Sequence, residues 1–224
     1  MAVTDQAILS IRGMIVSGEL APGDRIPSEK ELSVRLGLSR NSLREAVKAL
    51  ELIRVLDVRQ GDGTYVTSLE PRLLLEAMSF VVDLHQDQSV LQMFEVRLVL
   101  EPFAATRAAE IITDEQLAAL RAMLDDVDES TDVEQLVAHD MEFHRLIAEA
   151  SGNSYLSSLL DALSSSTVRA RVWRGITQER SVARTLAEHR AILDALAERN
   201  PEVVRSWVTV HISGVETWLR RTVE

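Results

Sequence analysis

The sequence contains no cysteine, so neither a disulfide framework nor a thiolate metal site is available to it, and a reducing cytoplasm is the simplest setting. No apolar run approaches the roughly 20 residues of a membrane span. Residues 1–10 lack a basic cluster ahead of an apolar stretch, so no secretory signal is expected. An excess of positive charge is also missing: 24 Lys+Arg stand against 35 Asp+Glu, for a net charge of −11. Taken whole, that balance speaks against nucleic acid, because phosphate binding needs local positive potential. Its distribution matters more. Residues 1–69 hold nine basic and nine acidic side chains, leaving 15 and 26 in the remainder. A neutral head on an acidic body is compatible with a DNA reader whose body stays clear of the phosphates. The 224 residues, 46% hydrophobic and 26% charged, suffice for two small globular domains.

The first 69 residues carry most of the Gly and Pro punctuation and read as a domain of short elements. A helical pattern over residues 5–17 ends at Gly18, and Pro22-Gly23 makes a turn. Ser28 and Glu31 form a capping box for a second helix to about Leu36. Gly37-Leu38 is a tight turn, and Ser39 caps a third helix to about Leu52. Residues 55–59 and 64–67 then read as strands around Gln60-Gly61-Asp62-Gly63, a wing hairpin. On the third helix Leu43, Ala46, Val47 and Leu50 have the spacing of a buried stripe, leaving Arg40, Asn41, Arg44 and Lys48 on another face. Arginine pairs with guanine O6/N7 and asparagine with adenine, and the Ser39 and Ser42 hydroxyls suit phosphates or base edges. An isolated Arg/Asn face reads more simply as a solvated amphipathic helix. Three helices, a glycine turn and a glycine-tipped hairpin in this order favour the DNA reading.

From Pro71 onward the pattern is helical throughout, with seven helices expected over about 71–83, 89–109, 114–128, 132–150, 154–174, 178–199 and 201–221. Starts are marked by Ser89-x-x-Gln92, Thr113-x-x-Gln116, Thr131-x-x-Glu134 and Asn200-Pro201. The fold class is therefore mainly α: an N-terminal winged helix-turn-helix (1–69) and a C-terminal all-α seven-helix bundle (70–224). On helix 132–150 Asp140 and His144 fall on the apolar stripe with Leu136, Phe143 and Ile147. His189 joins Val182, Leu186, Leu193 and Leu196; His211 joins Val204, Trp207, Val215 and Trp218. Each histidine alone reads more simply as a hydrogen-bonded core residue. Three of them with a core aspartate point to a shared divalent cation, Zn²⁺ foremost, with Ni²⁺ or Mn²⁺ as alternatives. His139 and His85 read as surface residues. Arg97 lies inward with Val90, Phe94 and Glu101; it either binds a carboxylate effector that also reaches the metal, or pairs with Glu101 or another carboxylate of the body. Whether Arg169 or Arg171 faces inward is open.

The segments 22–32, 37–46 and 61–66, PGDRIPSEKEL, GLSRNSLREA and GDGTYV, resemble the head of GntR-family regulators. This resemblance implies DNA contacts at Lys30, Ser39, Arg40, Asn41, Ser42, Arg44, Gln60 and Gly61; Lys30 departs from the more usual Arg. FEVRLVLE at 94–101, DMEFH at 140–144, SGN at 151–153 and EHRAIL at 188–193 resemble the FCD effector domain of the FadR subfamily. That likeness implies metal ligands at Asp140, His144, His189 and His211, a homodimer on a palindromic DNA operator, and release from DNA when a small organic acid binds. The expected protein is thus a cytoplasmic, ligand-responsive repressor. A plain metal sensor is one rival. A metal-dependent hydrolase or oxygenase is another, disfavoured because no dedicated acid-base group accompanies the ligand stripe.

Overall fold

In the computed structural model, the described residues are 3–70, 73, 88–178 and 180–223. They comprise α1 (Val3–Val16), α2 (Glu29–Leu36), α3 (Arg40–Leu52), β1 (Leu56–Arg59), β2 (Gly63–Val66), α4 (Gln88–Ile111), α5 (Asp114–Asp125), α6 (Val133–Ala150), α7 (Ser154–Ser166), α8 (Val168–Thr177), α9 (Ser181–Ala197) and α10 (Pro201–Val223). The chain divides into two compact units, Met1–Met78 and Ser79–Glu224. The expected boundary after residue 69 falls earlier than this division. The helix expected over 71–83 lies outside the described residues apart from Leu73, as does His85.

In the first unit local chemistry sets the elements. Ser28 caps α2 by accepting from the Glu31 amide at 3.3 Å, while Glu31 Oε2 accepts from the Ser28 amide at 2.8 Å. Gly37 ends α2 at φ 67°, left-handed backbone that glycine adopts without a Cβ penalty, and so turns the chain into α3. Ser39 Oγ accepts from the Ser42 amide at 3.1 Å and fixes the start of α3. Leu43, Ala46, Val47 and Leu50 are buried as their spacing requires, sharing a core with Ile11, Leu32 and Leu56. The two strands pair antiparallel from Leu56↔Val66 to Arg59↔Gly63. The loop before α2 docks on β2 through Ile26 N–H to the Thr64 carbonyl and Val66 N–H to the Asp24 carbonyl, both 2.8 Å.

In the second unit α4 packs most extensively on α10, α6 lies against α4, and α9 lies against α10. The core between them includes Phe94, Phe143, Ile147, Ile192, Leu196, Val208 and Ile212. Thr113 and Gln116 form the expected capping box of α5. Three expectations change. The start of α6 is capped by Asp132, whose carboxylate accepts from the Glu134 amide at 2.9 Å; Thr131 instead accepts from the Asp128 amide in the preceding turn. The single helix expected over 154–174 is broken at Thr167 (φ −101°, ψ 1°) into α7 and α8, so the six expected helices on described residues appear as seven. Trp207, assigned to the buried stripe of the last helix, is 38% exposed.

Because Leu43 is fully buried and seats α3, Leu43→Ala is expected to destabilise the first unit by about 2–5 kcal/mol. Far-UV circular dichroism in urea should show an earlier first loss. Tryptophan fluorescence, whose sources Trp173, Trp207 and Trp218 all lie in the second unit, should keep its midpoint.

Candidate metal centre and nucleic-acid interface

Asp140 and His144 are one turn apart on α6, so both enter the same face of the bundle. His189 comes from the middle of α9 and His211 from the middle of α10. All four are buried, and one ligand atom from each lies within 4.8 Å of the others. The three imidazole Nε2 atoms converge on a single oxygen: His189, His211 and His144 stand 3.1, 3.4 and 3.6 Å from Asp140 Oδ1. Yet His144 Nε2 and both ring nitrogens of His189 have no hydrogen-bond partner. His189 Nε2 is therefore close to the carboxylate but out of line with it. Buried nitrogens left without partners are costly unless something else satisfies them. Donors about 2.0–2.2 Å from one ion in a tetrahedral set lie about 3.3–3.6 Å apart, close to the carboxylate-to-imidazole distances of 3.1, 3.4 and 3.6 Å. The donor set therefore fits a borderline divalent cation.

A second layer holds these ligands. His211 Nδ1 meets Glu188 Oε2 at 2.9 Å, and Glu188 Oε1 accepts from Arg184 Nε at 2.7 Å. His144 Nδ1 lies 2.8 Å from Glu101 Oε2, an ion-pair distance, although that oxygen has no aligned hydrogen bond. His189 stacks on Phe143 with centroids 4.3 Å apart. Arg171 Nη1 donates to Asp140 Oδ2 at 2.7 Å. Glu188 and Glu101 as anchors of imidazole nitrogens were not anticipated. Glu188 directly precedes His189, and its orientation depends on where α10 lies.

The electrostatics follow from this packing. Burial opposes ionisation of Asp140, but Arg171 and then the three imidazoles outweigh it and hold the carboxyl well below its ordinary range. Burial likewise opposes Glu188, but His211 and Arg184 bring it to about 2. Burial pushes His189 down to about 3, so its ring is neutral, as a metal ligand must be. For His144 burial is outweighed by Glu101 and Asp140, and its pKa is raised.

Next to this centre is a cavity with about 570 Å³ of empty space, including its mouth. Asp140, His189 and His211 line it with Arg171, Arg174 and Ser181. Arg174 Nε donates to Gln178 at 2.7 Å, but its buried Nη2 and the Ser181 hydroxyl lack partners. The open question over α8 is thus answered: Arg171 is buried and Arg169 exposed. Arg97 does not line this cavity; it pairs with Glu101 and donates to Thr167. His139, expected on the surface, is half-buried, hydrogen-bonded to the Met123 carbonyl, and lines the cavity.

On the first unit Lys30, Ser39, Arg40, Asn41, Arg44, Gln60 and Gly61 are exposed, and Ser42 is partly so. Arg44 reaches across to Glu29 at the start of α2, with Nη2 3.1 Å from Oε2. Gly61, at φ 78°, shapes the wing tip beside Gln60.

The depressed His189 pKa fixes the sign of a pH effect. Between pH 6.5 and about 3 the unfolded chain carries a proton on this ring that the folded chain does not, so stability falls as pH falls through that window. In chelator, His189→Phe is expected to reduce the dependence of urea stability on pH by up to about 1.4 kcal/mol per pH unit there. An unchanged slope would show that His189 is not held neutral.

A family model described as "Bacterial regulatory proteins, gntR family" matches residues 3–66, and the FCD domain model matches residues 92–214. The chain is 32% identical to the HTH-type transcriptional regulator LutR of Bacillus subtilis (strain 168), over 91% of this chain and 94% of that protein. It is 30% identical to the galactonate operon transcriptional repressor of Escherichia coli (strain K12), over 88% of each chain. Among solved structures, Streptococcus agalactiae GntR superposes with a TM-score of 0.74 at 30% identity, covering 96% of this chain and 99% of that one. These proteins are regulators, which removes the hydrolase and oxygenase reading. A helix-turn-helix head with its recognition helix exposed, followed by an FCD domain, places this chain in the GntR family of DNA-binding transcription regulators, in its FadR-type branch.

Proposed function

We propose that this regulator is a cytoplasmic, ligand-responsive repressor whose second unit holds one divalent cation, Zn²⁺ foremost, and binds a small organic or sugar acid beside it. The observation that carries this reading is the convergence of three buried imidazole Nε2 atoms on one Asp140 oxygen, with His144 Nε2 and both His189 ring nitrogens left without hydrogen-bond partners. Asp140, His144, His189 and His211 would hold the ion. When bound, the metal supplies a fixed positive charge that draws a carboxylate into the cavity.

The residues of this chain supply the rest of the recognition. Arg174 presents an unpartnered buried guanidinium N–H, and Ser181 an unpartnered hydroxyl. An acid bearing a carboxylate and hydroxyl groups satisfies both, and the apolar walls from Val133, Val137, Leu186 and Val215 exclude water around it. The name of the galactonate operon repressor supports the sugar-acid class. Arg171 pairs with Asp140 and balances its charge.

For DNA, Lys30, Ser39, Ser42 and the wing residues Gln60 and Gly61 are assigned to phosphates and groove edges, and Arg40, Asn41 and Arg44 to bases. A palindromic operator calls for a homodimer. One exposed face of α4 supports that assembly, since Val96, Val99 and Phe103 are 44%, 69% and 48% exposed. Glu95 and Arg107 flank the stripe at opposite ends, so an antiparallel second copy brings unlike charges together. Binding of the acid then shifts the population of head arrangements across the two half-sites, provided the acid prefers one of them.

Two substitutions test these assignments. Arg44→Ala, at an exposed position, should leave folding intact and abolish specific operator binding in a gel-shift titration; operator affinity like the parent's would contradict it. Arg174→Ala should keep operator affinity and raise the acid concentration needed for release by tenfold or more. Hydroxy acids and sugar acids, screened first by thermal shift on the zinc-loaded chain, supply the acid; release at unchanged concentration would remove Arg174 from recognition.

A further inference from the structure

Arg97 is 2% exposed and takes no part in the cavity, so its burial needs another explanation. Its Nε is bonded to Glu101 Oε1, and its Nη1 donates to Thr167 Oγ1 at 3.2 Å. The other oxygen of Glu101 faces His144 Nδ1 at 2.8 Å. A path of buried charge therefore runs from His144 through Glu101 and Arg97 to Thr167. A second path leaves the same centre: Asp140 Oδ2 accepts from Arg171 Nη1 at 2.7 Å, and Arg171 Nη2 lies 3.4 Å from Ser164 Oγ. Both paths end within residues 164–167, where α7 gives way to α8.

Backbone bonds also cross that junction: the Thr167 amide donates to the Ser164 carbonyl at 3.1 Å and the Arg171 amide to the Thr167 carbonyl at 3.2 Å. No side chain caps the start of α8, and Thr167 Oγ1 turns back to the Ser164 carbonyl at 2.9 Å. The arrangement also has slack at its other end. His144 Nε2 has no partner, and its Nδ1 contact with Glu101 is out of line for a hydrogen bond. A cation taking up Nε2 draws the ring, and it competes with Arg171 for the Asp140 carboxylate. In a close-packed interior neither guanidinium can move independently of its partners.

We propose that Arg97 is a positioning residue: with Glu101 it transmits occupancy of the metal centre to the α7–α8 break, and so sets where α8 holds Arg174 in the cavity. This rests on the metal reading above. It makes metal and acid binding energetically coupled, and that coupling acts equally in both directions.

Hydrogen exchange of the full chain with and without Zn²⁺ tests this. In the parent, Zn²⁺ should slow exchange several-fold around the ligands in α6, α9 and α10, and also across residues 160–172. Thr167→Val removes the hydroxyl that Arg97 holds while nearly keeping its volume. This variant should bind Zn²⁺ with the same stoichiometry and keep the protection in α6, α9 and α10, but lose the metal-dependent slowing across 160–172. Arg97→Gln should behave alike, and the valine variant decides the matter if the glutamine variant fails to fold. Equal slowing across 160–172 in parent and Thr167→Val would overturn the proposal, as would Zn²⁺ uptake by the parent with no change there. A parent that takes up no Zn²⁺ fails earlier, at the metal reading, and removes both.

Discussion

The second unit is organised around one buried carboxylate. Asp140 cannot stay ionised in an apolar bundle without nearby positive charge or donors. Arg171 neutralises one oxygen, while the other faces three imidazoles, of which His189 is driven neutral by burial. Glu188 holds the His211 ring by a hydrogen bond, Glu101 lies at ion-pair distance from His144, and Arg184 and Arg97 balance the two carboxylates in turn. Concentric shells of alternating charge result. Under the proposed reading, their centre is completed by a divalent ion.

Replacing such a network with hydrophobic residues is often neutral or stabilising, so its presence is better explained by function than by fold. The apolar core of Phe94, Phe143, Ile192, Leu196 and Ile212 already supplies the burial that closes the bundle. The first unit shows the opposite economy. Among its described residues every buried side chain is apolar, and its charged side chains at Arg40, Arg44 and Lys48 stay on the surface, where the proposed reading has them meet phosphates and bases.

Much of this was legible in the sequence because period and chemistry coincide. The stripe Leu43, Ala46, Val47, Leu50 has only one buried solution, and Gly37 after a capped helix has few alternatives to a left-handed turn. Asp140 with His144, then His189 and His211, were each placed inward by helical phase alone. What phase cannot supply is the relation between helices. Arg97 reads as inward on α4, but whether it meets the cavity or Glu101 depends on where α7 and α8 pass. Ser164–Thr167 has no glycine or proline to mark a break, because the interruption there is held by tertiary bonds from Arg97 and Arg171. Asp132 outcompeted Thr131 as a cap because both are good caps one residue apart, and only the path of the preceding turn decides.

The central claim concerns the ion. Metal analysis of the chain purified without chelator, with X-ray absorption at the edge of the metal found, tests it most directly. The account predicts about one divalent ion per chain, with nitrogen and oxygen neighbours near 2.0–2.2 Å, and its loss in Asp140→Ala. A chain that carries no ion and takes up none on adding Zn²⁺, or one whose metal persists in Asp140→Ala, would contradict it.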